Sequence, residues 1–204
     1  MKKYLYILTL ISILNSCIIV KEKEQKEEVK TSISLSPKPE IDMSDQMVRS
    51  TLGDMIAFLP KDWFFVDGED KAPAEVYAIA VNPDYSLCAV FSEIRKNDEI
   101  DEIVKKESLM GLARLSYEKH NKKSAGSVQL VGKFQNMVLG QKNFVKYEIS
   151  NSNGAITSKV IVFQSDMNHY YQFTLIPMDV QGKPIPPKDE INKIFNSILA
   201  TIRY

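Results

Sequence analysis

The side chains that could carry chemistry in this 204-residue chain are few and scattered. There are two histidines, His120 and His169. His120 stands among Lys119, Lys122 and Lys123, whose charges oppose a metal ion, and His169 opens an apolar stretch beside Tyr170 and Tyr171. Both read as ordinary surface or half-buried imidazoles rather than as bases or ligands. A zinc site needs clustered Cys, His or carboxylate ligands, and no such cluster stands in the sequence. Of the two cysteines, Cys88 is embedded in Leu87, Ala89, Val90 and Phe91, where a free thiol behaves as a small hydrophobe. Glu99, Asp101 and Glu102 have the look of acid–base carboxylates, but they fall where a helix begins and there favour its dipole. Neither a nucleophile elbow nor a phosphate-binding glycine loop occurs. The reading is a non-enzyme with no cofactor and no metal.

The aromatic residues are candidates of another kind. A strand sends successive side chains to opposite faces, so Trp63, Phe64 and Phe65 cannot share one face. Either both faces of the sheet are covered and all three rings are core, or one ring lines a groove for a ligand or partner. Tyr170 and Tyr171 pose the same alternative. The loops 67–73 and 179–187 are where a recognition edge is expected, since loops on a rigid scaffold carry function more often than cores do.

The N-terminus is the most informative segment. Lys2 and Lys3 precede an apolar run from Tyr4 to Leu14, broken only by Thr9 and Ser12. That run is shorter than the roughly 20 apolar residues that span a bilayer. A charged start, a short apolar core and a small residue before a cut describe an export signal. Leu14-Asn15-Ser16-Cys17 resembles the lipobox of bacterial lipoproteins, which runs aliphatic residue, tolerant position, small residue, cysteine; Asn15 is less usual at its position than Ala, Ser or Thr. The resemblance implies that residues 1–16 are a signal peptide removed on export. It also implies that the Cys17 thiol takes a diacylglycerol, that its new amino group takes a further acyl chain such as palmitate, and that the chain is held on a membrane of the bacterial cell envelope. Two or three acyl chains anchor stably, since each buried methylene contributes about 0.8 kcal/mol. Ile18-Ile19-Val20 extends the apolar run and keeps open an uncleaved anchor helix over residues 4–20; an ordinary Cys17 behind a plain signal also stays open. Ile18 is not Asp, so the inner-membrane retention signal of the enteric type is absent.

Composition narrows the function classes. The chain has 26 basic and 26 acidic side chains. Loss of Lys2 and Lys3 with the signal leaves 24 basic residues and a net charge near −2, which gives no footing for nucleic acid. With Cys17 lipidated, Cys88 has no disulfide partner. A hydrophobic core must therefore hold the domain, and about 160 residues are enough for one.

Residues 17–45 read as a lipidated cysteine followed by a disordered, charged tether. Lys21 to Lys30 is almost all Lys, Glu and Gln, and the stretch to Glu40 adds Ser and Pro, a composition that cannot bury enough apolar surface to order itself. The globular domain is expected over 46–204. Short apolar strands are expected at 55–59, 63–66, 75–81 and 86–94. A helix capped by Asn97 or Asp98 follows. Next comes a meander of four long strands between Ser127 and Pro177, whose clearest turn is Asn151-Ser152-Asn153-Gly154. The last element is an amphipathic helix from about Lys188, with Ile191, Ile194, Phe195, Ile198, Leu199 and Ile202 on one stripe. Helices grouped on an antiparallel sheet make an α+β domain.

Ile56, Phe58, Leu59, Pro60 and Trp63, together with the closing helix through Ile191, Ile194, Phe195 and Ile198, resemble the PsbP-like family, which includes bacterial lipoproteins of the DcrB-like kind. The resemblance covers nearly all of residues 50–204. It implies an α/β/α sandwich and a role as a binding or assembly factor with a protein partner, and it carries over no catalytic residue. A carrier of lipid or another apolar ligand, with a cavity between helix and sheet, is the alternative.

Overall fold

The computed structural model describes residues 33–34, 36, 38–68, 71–151, 154 and 156–204. The expected signal peptide, Cys17 and much of the expected tether lie outside the described residues.

Ten strands and two helices make up the described chain. The strands are β1 (Ile33–Ser34), β2 (Met43–Arg49), β3 (Ile56–Pro60), β4 (Phe64–Phe65), β5 (Val76–Val81), β6 (Leu87–Ile94), β7 (Val128–Leu139), β8 (Lys142–Asn151), β9 (Thr157–Gln164) and β10 (Tyr170–Pro177). The helices are α1 (Asp98–Lys123) and α2 (Lys188–Thr201). Eight strands form one sheet in the order β1-β7-β8-β9-β10-β6-β5-β4, and β2 pairs with β3 apart from it. The pairings are antiparallel except that of β1 with β7. Two meanders are thus sewn together by β10 against β6, in register from Tyr170 opposite Ile94 to Pro177 opposite Leu87.

The period-two alternation of the strands builds two cores. On one face Phe91, Phe163, Tyr171 and Phe173 meet Ile194, Phe195 and Ile198 of α2, with Ala57 and Leu59 of β3. Phe91, Phe173 and Phe195 stack in sequence, with ring centroids 4.8 and 5.4 Å apart. On the other face Val145, Tyr147, Val160 and Val162 meet Leu112 and Ala113 of α1. The result is the α/β/α sandwich expected, with the sheet in the middle layer. The hairpin glycine behaves as its turn requires, since Gly154 has φ +67°.

The packed chain starts earlier than residue 46. Ile41 and Met43 lie against the α2-side core, the Glu40 amide donates to Ser197 Oγ at 2.9 Å, and Met43 pairs with Pro60. The cause is visible in the residue types: Ile41 and Met43 are apolar side chains at the end of a largely polar stretch, and the α2-side core gives them a surface to cover.

Helix α1 begins as expected. The Asn97 side chain accepts from the Ile100 amide at 2.8 Å, and Asp98, Glu99 and Asp101 occupy the first turn. The helix is not continuous, because Ser108 breaks it with φ 57° and ψ −157°. The two limbs close on each other at Gly111. A Cβ there would sit 2.7 Å from Ile103 Cγ2 and 2.8 Å from Glu107 Cβ, and Glu107 is ion-paired with Arg114 across the break. Gly111→Ala is therefore expected to destabilise the fold by about 1–3 kcal/mol, the usual cost of overpacking. The gain in helix propensity from alanine, about 1 kcal/mol, works against this, so an unchanged urea midpoint would mean that Ile103 and Glu107 yield freely.

A candidate ligand groove under the kinked helix

Helix α1 packs on β7, β8 and β9. The same face of β10, β6 and β5 is left partly uncovered along its flank, and a groove of about 640 Å³ opens there. Its volume lies in the range of small-molecule sites, roughly 300–1,000 Å³. The walls are apolar, with Leu112 and Leu115 from α1 facing Val90, Ile94 and Ile176 from the sheet. The floor is different. Ser92, Gln172 and Thr174 lie where alternation puts a core-facing residue, and Ser116 reaches down to them from α1.

These polar groups are linked. Ser116 Oγ donates to Gln172 Oε1, contacts the Tyr147 hydroxyl at 2.8 Å, and Gln172 Nε2 donates to Thr174 Oγ1 at 3.2 Å. Ser116, Gln172 and Thr174 are all at least nine-tenths buried. His120 closes the chain, its Nδ1 lying 3.1 Å from the Ser116 carbonyl and 3.4 Å from the Tyr147 hydroxyl. Burial draws the His120 pKa down, opposed by the Ser116 carbonyl and reinforced by Lys123 and Lys119, so the ring is neutral at neutral pH. Burial likewise pushes the Tyr147 phenol up.

Two further polar clusters hold the sandwich together. In the turn between β2 and β3, Asp54 takes hydrogen bonds from Ser50 at 3.1 Å, Ser165 at 2.5 Å, His169 Nδ1 at 2.9 Å and the Tyr171 hydroxyl. Burial alone would raise its pKa, but these bonds, with Ser165 the largest, hold it at about 2. His169 is therefore a half-exposed clamp on Asp54. The serine donates to the carboxylate rather than to the imidazole, so the trio lacks the order of a nucleophilic triad. On the α2 face, Glu148 Oε1 accepts from both Lys146 and Lys159 at 2.8 Å. Burial opposes its charge, and the two ammonium groups hold its pKa at about 2.

The residues singled out from sequence fall elsewhere. Trp63 is core on the α2 side. Phe64 is half-buried, edge-on to Tyr85 at 5.6 Å, and Phe65 is 45% exposed on the outermost strand. Tyr170 and Tyr171 are both buried, on opposite faces. None of the five lines the groove. Burial pushes the Cys88 thiol up to about 11, which leaves it inert. The loop 67–73 does reach the groove, through Pro73. Cys17 lies outside the described residues. Among the described residues, no three His, Cys, Asp or Glu side chains converge as metal ligands, and no helix is long and apolar enough to cross a membrane.

No protein-family profile and no curated protein matches the sequence. Among solved structures the chain is similar to cyanobacterial PsbP (CyanoP) from Synechocystis sp. PCC 6803, with 15% identity and a TM-score of 0.53 over 78% of this chain and 92% of that one. It is also similar to LpqN of Mycobacterium tuberculosis, a protein involved in cell envelope biogenesis, with 15% identity and a TM-score of 0.42 over 79% of this chain and 90% of that one. The CyanoP likeness establishes the fold, which is the α+β fold of PsbP. At that identity it says nothing of function.

Proposed function

We propose that this protein is a membrane-anchored lipoprotein of the bacterial cell envelope, tethered through Cys17, whose domain works as a non-enzymatic binding factor. The observation that carries the binding role is the groove beside α1, which has apolar walls and a floor of buried, hydrogen-bonded polar side chains. The hydrogen bonds among these groups offset the cost of burying them, and a few polar groups in an apolar cleft are what orient a ligand. The cavity between helix and sheet favours a carrier of an apolar ligand over an assembly factor that acts through a flat protein surface. The anchor rests on the lipobox-like Leu14-Asn15-Ser16-Cys17 and the export signal before it.

Intact mass of the detergent-extracted native protein tests the anchor. The expected species starts at Cys17 and carries diacylglycerol, and Cys17→Ser lacks that mass. An unlipidated chain starting elsewhere, or one that keeps Met1, would overturn it. Organic extraction of the same native protein tests the carrier reading. A ligand recovered in stoichiometric amount supports it, and recovery of nothing counts against it.

A further inference from the structure

We infer that the ligand of this groove is an uncharged acyl compound, held by its ester or amide carbonyl oxygen on the Thr174 hydroxyl. This rests on the groove being the binding site and adds the chemistry of what enters it.

The direction of the hydrogen bonds carries the argument. A serine hydroxyl has one proton, and that of Ser116 goes to Gln172 Oε1. Tyr147 must then be the donor in its contact with Ser116. Gln172 Nε2 donates in turn to Thr174 Oγ1. The chain of donors ends at Thr174, for whose own proton no acceptor stands among the described residues. Thr174 is 5% exposed and lines the groove. Gln172 keeps a second N–H, and Ser92, opposite it in the β6–β10 register, adds another hydroxyl to the floor. The floor thus presents donors, and a chain of hydrogen bonds polarised toward one end strengthens its last donor. A ligand oxygen is the complement.

Charge selects among oxygens. Arg95, Lys119, Lys122 and Lys123 line the groove, and so do Glu75, Glu93, Glu99 and Glu118. Four positive charges face four negative ones, and Lys119 is already paired with Glu75 at 3.4 Å. No surplus positive charge remains to hold a carboxylate or phosphate that has lost its water. A carbonyl oxygen asks for none, and the apolar walls take the acyl chain.

The test uses the full chain carrying Cys17→Ser, so that no acyl group of its own competes, and equilibrium dialysis of labelled monopalmitoylglycerol and palmitate at pH 8. The wild-type groove is expected to bind monopalmitoylglycerol at least tenfold more tightly than palmitate. Thr174→Val keeps the shape, removes the donor and is expected to weaken the ester about tenfold; Thr174→Ser restores it. Ile176→Trp fills the groove and abolishes binding of both, with circular dichroism showing the variants folded. If Thr174→Val binds like wild type while Ile176→Trp does not bind, the carbonyl assignment falls and the groove reading survives. Preference for palmitate overturns the uncharged ligand. Binding undiminished by Ile176→Trp overturns the groove reading itself, and no binding of either compound to wild type overturns the acyl assignment.

Discussion

Glu148→Gln is expected to lower the free energy of unfolding by about 3 kcal/mol, the scale of breaking a buried ion pair by removing one partner. Lys159 is the reason. Its side chain is 4% exposed, its ammonium is bound to Glu148, and the neighbouring Lys146 shares the same carboxylate oxygen. Without the glutamate charge, Lys159 is left beside Lys146, its diagonal neighbour across the β8–β9 ladder, with nothing between the two positive groups to neutralise them. The pH dependence follows the same charge. The Glu148 pKa falls from 4.5 to about 2 in the fold, so its contribution is complete above pH 4.5 and is lost as pH drops toward 2. Urea unfolding at pH 7 and pH 3 checks both effects, and equal midpoints for variant and wild type at pH 7 would sink the idea. A double variant, Glu148→Leu with Lys159→Met, is expected to recover much of the loss, because well-packed apolar groups replace buried charge at little cost.

Asp54→Asn is expected to cost about 2 kcal/mol at neutral pH, close to the value of lowering a carboxyl pKa by nearly two units. Asp54 is the acceptor that ties the β2–β3 turn to the β9–β10 turn, and all four of its partners donate. An amide offers one oxygen where four donors converge and turns its NH2 toward hydroxyls and an imidazole. With the folded pKa at about 2 and the free value at 3.8, the wild-type contribution is full above pH 3.8 and vanishes toward pH 2. The variant should therefore lose less stability than wild type between pH 4 and pH 2. Parallel acid-induced unfolding curves for the two proteins would show that Asp54 does not carry the linkage.

Much of the architecture was legible because it is local. Asn97 followed by acids announced α1, the stripe from Ile191 to Ile202 announced α2, and alternation placed β7 to β10. The joining of β6 to β10 was not legible, since nothing in either strand names its partner. The kink at Ser108 escaped for a related reason: Gly111 looks like a tolerated helix glycine until Ile103 and Glu107 are seen to occupy the space beside it. Asp54 sits 111 residues from Ser165 and 115 from His169, so their meeting belongs to tertiary structure alone. The groove floor did leave a trace. Within β10 the residues facing α1 include Gln172 and Thr174 in an otherwise apolar strand, and two polar residues on a phase meant for the core are a signal of a wet or liganded surface.

The C-terminal end of the described fold has a consequence for how it is made. Ile56 and Arg203 exchange both backbone hydrogen bonds, the Phe58 amide donates to Thr201 across 143 residues of chain, and α2 lies on β3. The bridge of Ile56 to Arg203 and the packing of α2 on β3 therefore form only after residue 203 has been made, although the long pairs of the sheet need no residue beyond Pro177. Contacts this distant in sequence slow folding, a delay that would give time to a chain exported unfolded, as the proposed signal implies.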